Sequence, residues 1–470
     1  METQAPDVGA RLRTELSDWR PWLTRSLVLA MAAVAGLTVA MLTWVSEQAF
    51  RLFTALHAWA WWVPLIWMPL LTAAIVWSTR RFLPGAAGSG IPQVMAASET
   101  SVTAGERRLF VSVRMSLGKL VLTSAGLLGG LSLGREGPSV QIAAGIMHHV
   151  RRWLPERSTV SEHGLLVAGG AAGIAAAFNT PLGGVMFAIE ELSRRPEQRS
   201  SGLLIAAIVL AGLMSVSIYG NLTYFGVITV PPLGWGLLGP GLLVAVASGL
   251  AGGLFARLLI ASAVGGADWG SRLRRRAPVL FAGLCGLLLA VIGLVMGGAT
   301  FGSGYDQTRG LLEGEHSTGP LYTLLKFVAT WITTWSGVPA GIFAPSLSIG
   351  AGLGSDIAAL TGFPDRPALI ALGMAGFLAA VTQAPLTSFI IVMEMVAGHS
   401  MVLSLMACTM VASLVSRLVS VPLYAGLTRL QLARLVRAKD KAEPPTESSG
   451  ENVPAVAAEP PPPAGRSDSV

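Results

Sequence analysis

The sequence has few charged residues: only 13% of its 470 residues are Asp, Glu, Lys or Arg, whereas 52% are hydrophobic. A soluble domain has roughly 25% charged residues. The composition therefore excludes an ordinary soluble fold and indicates a polytopic, all-α membrane protein. The formal net charge of +7 fits a cytoplasmic excess of Lys and Arg and gives no reason to expect a nucleic-acid partner.

Cysteine is almost absent, since only Cys285 and Cys408 occur and both lie in apolar runs. Such sparse cysteine excludes a disulfide framework and a cysteine metal site. The pair His148-His149 with His163 is typical of polar loop residues, and no carboxylate stands at ligand spacing from it. No nucleophile elbow is present either. We therefore expect no metal, no resident cofactor and no enzymatic activity.

Seven apolar runs predict membrane spans, at 26–46, 58–77, 109–133, 202–219, 236–263, 278–299 and 400–420. Lys119, within one of them, is expected to face protein or water rather than lipid. Residues 165–192 are too long and too interrupted for one span, and Asn179-Thr180-Pro181 predicts a break there.

Polar segments flank the spans at both ends. Residues 1–25 contain four Arg and no small-residue cleavage site, which predicts a cytoplasmic segment rather than a signal peptide. Residues 438–470 are rich in Pro, Glu and Ser, which predicts a disordered cytoplasmic tail.

The segment Gly134-Arg135-Glu136-Gly137-Pro138 interrupts an apolar run. Lipid cannot satisfy free backbone groups, so irregular backbone at this depth lies inside protein or beside a watery path. Pro138 fits the first turn of a new helix, and the two glycines allow close approach to a ligand. A helix N-terminus is an anion site, and Glu136 would place a tethered anion in it.

A second glycine-rich segment, Gly88-Ser89-Gly90-Ile91-Pro92, precedes this motif. It is consistent with a simple loop. Its alternative interpretation is a second backbone approach to the same ligand, with Ser89 as a hydroxyl donor.

The last third of the chain repeats part of the first. Residues 134–145 match 341–352 at a constant offset, and 173–191 match 376–395 with one insertion. In transporters, such paired broken segments indicate a site between the halves at the membrane midplane. The sequence leaves open whether the repeat is parallel or inverted.

The two halves differ at two carboxylates. Glu136 corresponds to Phe343 and Glu191 to Met395, whereas Glu190 is retained as Glu394. We expect function at the unmatched pair. The retained pair is expected to be structural and to accept backbone N–H groups.

Three glycine–proline blocks, including Gly341-Ile342-Phe343-Ala344-Pro345, and the terminal Tyr424 resemble the selectivity filter of the CLC family of chloride channels and chloride/proton antiporters. The resemblance covers roughly residues 25–437. It implies two inverted repeats of tilted, broken helices, at 26–220 and 221–437, in a homodimer with one pore per subunit.

Carried over by position, the resemblance implies that Ser89 and Tyr424 hold a central anion, together with Gly90 and the amides of Ile342 and Phe343. Glu136 would be the external gate and Glu191 the internal proton-transfer residue. The remaining positions of the three filter motifs would be Gly88, Ile91, Pro92, Gly134, Arg135, Gly137, Pro138, Gly341, Ala344 and Pro345.

The function favoured by both carboxylates is exchange of chloride for protons in a lipid bilayer. A passive channel of the same fold is the alternative, and pairing of Glu191 with Arg194 or Arg195 is the structural alternative for that residue. Exchange of another anion is a further alternative, but the resemblance implies that Ser89 favours chloride, with bromide and nitrate also passing. The tail is too short for a pair of regulatory CBS domains. We expect a prokaryotic plasma-membrane protein with both termini cytoplasmic.

Overall fold

The computed structural model describes residues 19–155, 158, 160–193, 201–220, 224–227, 234–315 and 319–442. Up to residue 220 its α-helices are α1 (Trp19–Trp59), α2 (Val63–Phe82), α3 (Ile91–Ser98), α4 (Ala104–Phe110), α5 (Val113–Leu128), α6 (Glu136–His149), α7 (Glu162–Phe178), α8 (Pro181–Phe187) and α9 (Ser201–Tyr219). From residue 234 they are α10 (Leu238–Val264), α11 (Trp269–Arg276), α12 (Pro278–Val295), α13 (Tyr305–Glu313), α14 (Pro320–Ser336), α15 (Phe343–Thr361), α16 (Arg366–Thr382), α17 (Pro385–Met395), α18 (Val402–Val419) and α19 (Leu423–Ala442).

The helical segments long and apolar enough to cross a membrane are α1, α2, α4 with α5, α9, α10, α12, α15 and α18. The predicted span at 26–46 is the middle of the 41-residue α1. The prediction of 58–77 was displaced, because that helix begins at Val63. The prediction of 109–133 was too long, because Ser112 caps α5 by accepting from the Met115 amide and α5 ends at Leu128.

The centre of the fold consists of α6, α7, α15 and α16, in two packed pairs. Every residue from Gly164 to Phe178 and from Ala368 to Thr382 is buried. These helices are shielded by their neighbours from lipid, so their interrupted backbone can be satisfied by protein groups.

The break predicted within 165–192 is confirmed. Asn179 adopts a left-handed conformation with φ 58° at the end of α7, and Pro181 starts α8. Gln383, with φ 59°, ends α16 in the same way, and Pro385 starts α17. A left-handed residue commonly ends a helix and Pro commonly begins one. The chain is therefore broken at the equivalent point of both halves by the same backbone conformation.

Residues Met1–Gln431 form one compact unit and Leu432–Val470 a second. The predicted boundaries at 25, 220 and 437 stay predictions. Residues 1–18 and 443–470 lie outside the described residues, whereas 438–442 belong to α19.

Candidate functional site

The two repeated blocks meet at a short antiparallel bridge between Gly134 and Gly341. Gly134 N donates to Gly341 O at 2.8 Å, and Gly341 N donates to Gly134 O at 3.1 Å. A Cβ on Gly341 would lie 2.6 Å from the Gly134 carbonyl oxygen, so this approach requires glycine. Because α6 begins at Glu136 and α15 at Phe343, the bridge brings two helix N-termini together. The predicted helix start with Pro138 in its first turn is confirmed.

The Glu136 carboxylate lies against the N-terminus of the helix from the other half. Its Oε2 accepts a hydrogen bond from the Ala344 amide at 3.3 Å, and the residue has no exposed surface. Its Oε1 has no hydrogen-bond partner within the described part of the chain. The first amides of α15 lack a partner inside their own helix and form the positive end of its dipole. The carboxylate therefore occupies the place where α15 would hold a free anion.

Ser89 and Tyr424 contribute buried hydroxyl groups that have no well-formed hydrogen bond among the described residues. The Tyr424 ring stacks on Phe343, with centroids 6.0 Å and planes 11° apart. Ser89, Glu136 and Glu191 all lie within interaction range of the Tyr424 hydroxyl. Buried polar groups almost always have partners. The two hydroxyls lie beside each other at a helix N-terminus, and neither has a stronger partner among the described residues, which suits a ligand that accepts a hydrogen bond from each.

The carbonyl oxygens of residues 85–88, just before Ser89, are all held by side-chain donors. Lys119 Nζ donates to Ala86 O at 2.7 Å and also to Gly88 O. The Gln93 amide donates to Ala87 O, and the Gln141 amide donates to Gly85 O at 3.1 Å. A carbonyl oxygen aimed at an anion would repel it. Because side-chain donors hold these carbonyls, they do not point at an anion. The Ser89 hydroxyl is then the polar side-chain group that the loop can offer.

Lys119 has no exposed surface, which confirms that it faces protein. Gly88 and Gly90 have φ values of 78° and 114°, in the region that favours glycine. The Gly90 amide donates to Gln93 Oε1 at 3.0 Å. The assignment of Gly90 as an anion donor is therefore not supported, and its contribution is the backbone conformation of the loop. Ile91 and Pro92 form the first turn of α3.

Arg135 faces away from the Ser89 loop, toward α1. Its Nη1 lies 3.0 Å from Glu47 Oε1, and its Nη2 lies 3.5 Å from the Tyr224 hydroxyl. The Glu47 side chain is 40% exposed and that of Arg135 is 13% exposed. The residue before Glu136 is thus anchored to a different helix, which orients the start of α6.

Comparison with known proteins identifies the family. A family model described as voltage gated chloride channel matches residues 71–417. The chain is 32% identical over 440 residues to the H(+)/Cl(-) exchange transporter ClcA of Klebsiella pneumoniae, covering 87% of this chain and 89% of that protein. It is 30% identical over 452 residues to ClcA of Yersinia pestis, covering 88% and 90%. The chain belongs to the voltage-gated chloride channel (CLC) family.

Two solved structures have a similar fold. A slow cyanobacterial Cl−/H+ antiporter has a TM-score of 0.77 at 24% identity, covering 88% of this chain and 99% of that one. A eukaryotic CLC transporter has a TM-score of 0.71 at 22% identity, covering 87% and 74%. At this level of sequence identity the structural similarity shows the fold alone. The chain therefore has the CLC fold, with two inverted repeats of tilted, broken helices.

The retained carboxylates of this CLC chain cap helices across the repeat. Glu190 Oε1 and Oε2 accept from the amides of Leu386 and Thr387 in α17, at 3.1 and 2.6 Å. Glu394 accepts from the amides of residues 182 and 183 in α8, at 3.2 and 2.7 Å. The predicted structural role of this pair is confirmed.

Glu191 lies on a π-helical turn, Ala188–Leu192, and is buried. Consecutive side chains of a helical turn point in different directions. Glu190 reaches α17, whereas Glu191 lies within range of Tyr424. The alternative partners Arg194 and Arg195 lie outside the described residues.

Sequence reasoning missed a second loop, Gly302-Ser303-Gly304, which has the same letters as the Ser89 loop. Lys326 Nζ donates to Thr300 O at 3.0 Å and to Gly302 O at 2.8 Å, as Lys119 does in the first half. Each loop has a Gln three residues after its second Gly. These matches were readable in the sequence and extend the repeat.

Two of the histidines considered for a metal site, His148 and His163, have different partners. His148 Nε2 lies 2.6 Å from Glu162 Oε1, whereas His163 Nδ1 lies 3.3 Å from Ser98 O. Across the described ranges no group of three or more His, Cys, Asp or Glu could hold a metal ion.

Burial alone raises the pKa of Glu162, but the His148 hydrogen bond and the Arg107 ion pair hold this pKa below its usual value.

Proposed function

We propose that the protein exchanges chloride for protons across a membrane. The observation that carries the proposal is the Glu136 carboxylate, which is held at 3.3 Å by the Ala344 amide of the opposite half. A free anion and the ionised side chain compete for the same helix N-terminus. The relatives named H(+)/Cl(-) exchange transporters also support exchange of chloride for protons.

Glu136 acts as the external gate in this proposal. While ionised, it fills the anion place at α15. Protonation removes the charge that the helix dipole attracts, so the side chain leaves and chloride enters. Glu136 therefore either binds a proton and admits chloride or stays ionised and excludes chloride. This link between proton binding and chloride binding is the minimum required for coupling.

The central chloride is held by the hydroxyls of Ser89 and Tyr424 and by the amides of Ile342 and Phe343. These groups are neutral dipoles. A pore must bind its ion firmly enough to select it and weakly enough to release it. Both hydroxyls are buried and lie beside each other without a stronger partner among the described residues, which supports this assignment.

Glu191 is the internal proton-transfer residue. It is buried, and it shares Tyr424 as a neighbour with Glu136. Protons from one side and chloride from the other therefore reach the same small region. We further infer a homodimer in a prokaryotic inner membrane with both termini cytoplasmic, with no cofactor beyond the transported ions.

The test uses purified protein in liposomes loaded with chloride. A chloride gradient is imposed while external pH and chloride efflux are both recorded. We expect protons to move uphill, driven by chloride. Glu191→Gln should abolish proton movement while chloride flux continues, and Glu136→Gln should uncouple the two ions.

Chloride flux without proton movement would replace the proposal with a passive channel of the same fold. Unchanged coupling in Glu191→Gln would remove that residue from the mechanism. Absence of any anion flux in the wild-type protein would contradict the proposed function itself.

A further inference from the structure

The two Gly-Ser-Gly loops are fastened in the same way by buried lysines. Lys119 and Lys326 have no exposed surface, and each donates to two carbonyl oxygens of its loop. Because this fastening occurs in both halves, it belongs to the shared scaffold. A difference between the loops is therefore more informative about function than the lysines are.

Gln93 supplies such a difference. Its Nε2 donates to Ala87 O, and its Oε1 accepts from Gly90 N at 3.0 Å. These two contacts lie on either side of Ser89, so the amide bridges the loop across the serine. In the second loop the Tyr305 amide donates instead to Ser303 Oγ at 3.3 Å. The equivalent Gln307 lies partly exposed on α13 and makes no such bridge in residues 297–315.

The bridge holds the backbone of a residue whose hydroxyl lies beside that of Tyr424. Ser89 is 7% exposed, and its hydroxyl has no well-formed partner among the described residues. Rotation of the Ala87–Gly90 backbone would turn that hydroxyl or bring a carbonyl toward the anion. The Gln93 side chain, itself 2% exposed, opposes such rotation at both ends.

The bridge also adds no charge. An amide can donate and accept at once, whereas a carboxylate can only accept. In the described structure no carboxylate forms an ion pair with Lys119, whose contacts are the two carbonyls. The groups that fix the Ser89 loop are therefore neutral amides and one lysine, whose ammonium group is directed at two loop carbonyls. A negative charge at position 93 would be buried next to this loop.

We propose that Gln93 is a specificity-determining residue of the anion site: its neutral amide fixes the Ser89 loop and sets how tightly, and how selectively, a halide is held. The proposal rests on the proposed chloride transport by the Ser89 site. Gln93 does not touch the anion, so it is a positioning residue.

The experiment compares two isosteric or near-isosteric variants, Gln93→Glu and Gln93→Met, with the repeat-matched controls Gln307→Glu and Gln307→Met. Initial rates in liposomes are measured over a range of chloride concentrations, and then with nitrate in place of chloride. Thermal unfolding of each purified protein is recorded beside them.

Gln93→Glu keeps the acceptor for Gly90 N, loses the donor to Ala87 O and adds a negative charge. We expect the half-saturating chloride concentration to rise about tenfold with the maximal rate nearly retained, because a buried negative charge at the Ser89 loop repels the anion. Gln93→Met removes both hydrogen bonds without adding a charge, and the nitrate-to-chloride rate ratio should change about threefold or more because the loop is loosened. The Gln307 controls should change neither quantity.

Equal behaviour of the Gln93 and Gln307 variants, with chloride dependence and nitrate ratio unchanged, would overturn the inference. A loss of stability or maximal rate without a change in either quantity would also overturn it, because a structural role predicts that result. If Gln93→Met does not fold, the half-saturating chloride concentration of the isosteric Gln93→Glu tests the inference by itself. These outcomes differ from failure of the proposed function, in which the wild-type protein would move no anion.

Discussion

Gly134 and Gly341 pair through two backbone hydrogen bonds, 2.8 and 3.1 Å long, although 207 residues separate them in the chain. Each stands two residues before the first residue of a buried helix, Glu136 or Phe343. The bridge therefore sets how the two N-termini face each other. It also explains how a carboxylate on one helix reaches the amide of Ala344 on the other.

The two glycines should respond differently to alanine. In Gly341→Ala the new Cβ would lie 2.6 Å from the Gly134 carbonyl oxygen and 3.0 Å from Pro138 Cδ. Neither the backbone nor the ring can move easily, so we expect a loss of stability of about 1–3 kcal/mol. Thermal unfolding of the purified protein measures it.

In Gly134→Ala the nearest atom to the new Cβ is Oε2 of the Glu136 side chain. A flexible side chain can leave, so we expect a folded protein whose gate is displaced. Chloride flux should rise relative to proton flux in the liposome assay. Gly105→Ala is the control, because nothing lies within 4 Å of its added Cβ. Coupled flux in Gly134→Ala equal to wild type would contradict this account of the gate.

The helix-capping carboxylates should affect stability rather than coupling. Glu190→Gln and Glu394→Gln each replace an acceptor of two backbone N–H groups with an amide that can accept at only one atom. We expect each to lower stability by about 1–3 kcal/mol, read from unfolding temperature. Glu191→Gln should leave stability close to wild type and remove proton coupling. Loss of coupling in Glu190→Gln at wild-type stability would reverse the two roles.

Lys119→Met and Lys326→Met form a pair matched by the repeat. Each removes the donor for two buried carbonyl oxygens, so both should cost about 1–3 kcal/mol of stability. Only Lys119 holds the loop of Ser89. We therefore expect the chloride concentration dependence to change in Lys119→Met alone, and the same change in both variants would show that the effect comes from general loosening.

Stability should fall in acid partly because of Glu162. The pKa of this carboxyl is held below its usual value in the folded protein, since the His148 hydrogen bond and the Arg107 ion pair outweigh the effect of burial. Its contribution is therefore complete above the unfolded pKa of about 4.3 and is lost as pH falls through the folded pKa. The unfolding temperature of Glu162→Gln should depend less on pH than that of wild type between about pH 5 and 3. Parallel curves for the two proteins would contradict this assignment.

Local chemistry made several features predictable. Pro138 and Pro181 mark helix starts, and the left-handed Asn179 marks a helix end, because these residues restrict or permit particular backbone angles. The retention of Glu190 as Glu394 predicted a structural pair. The second Gly-Ser-Gly loop was equally visible at 302–304 and was missed.

Other features depend on contacts between distant parts of the chain. The 41-residue α1 exceeds its apolar core, because helix ends are decided by caps and neighbours as well as by hydropathy. Glu190 and Glu191 are neighbours on the turn Ala188–Leu192 but have different partners. The repeat predicted that Glu190 accepts backbone N–H groups, but it did not indicate which helix, nearly 200 residues away, supplies them.

The sequence by itself determined the membrane class, the repeat, the broken helices and the residue types of the filter, because composition, periodicity and backbone restrictions act locally. Only the tertiary structure decided that Glu136 reaches Ala344, that Tyr424 lies on Phe343 and that the Gly90 amide is taken by Gln93. Those relationships require two inverted halves to pack at one glycine bridge. The proposed anion site takes single groups from separate segments, so it can form only after that packing has occurred.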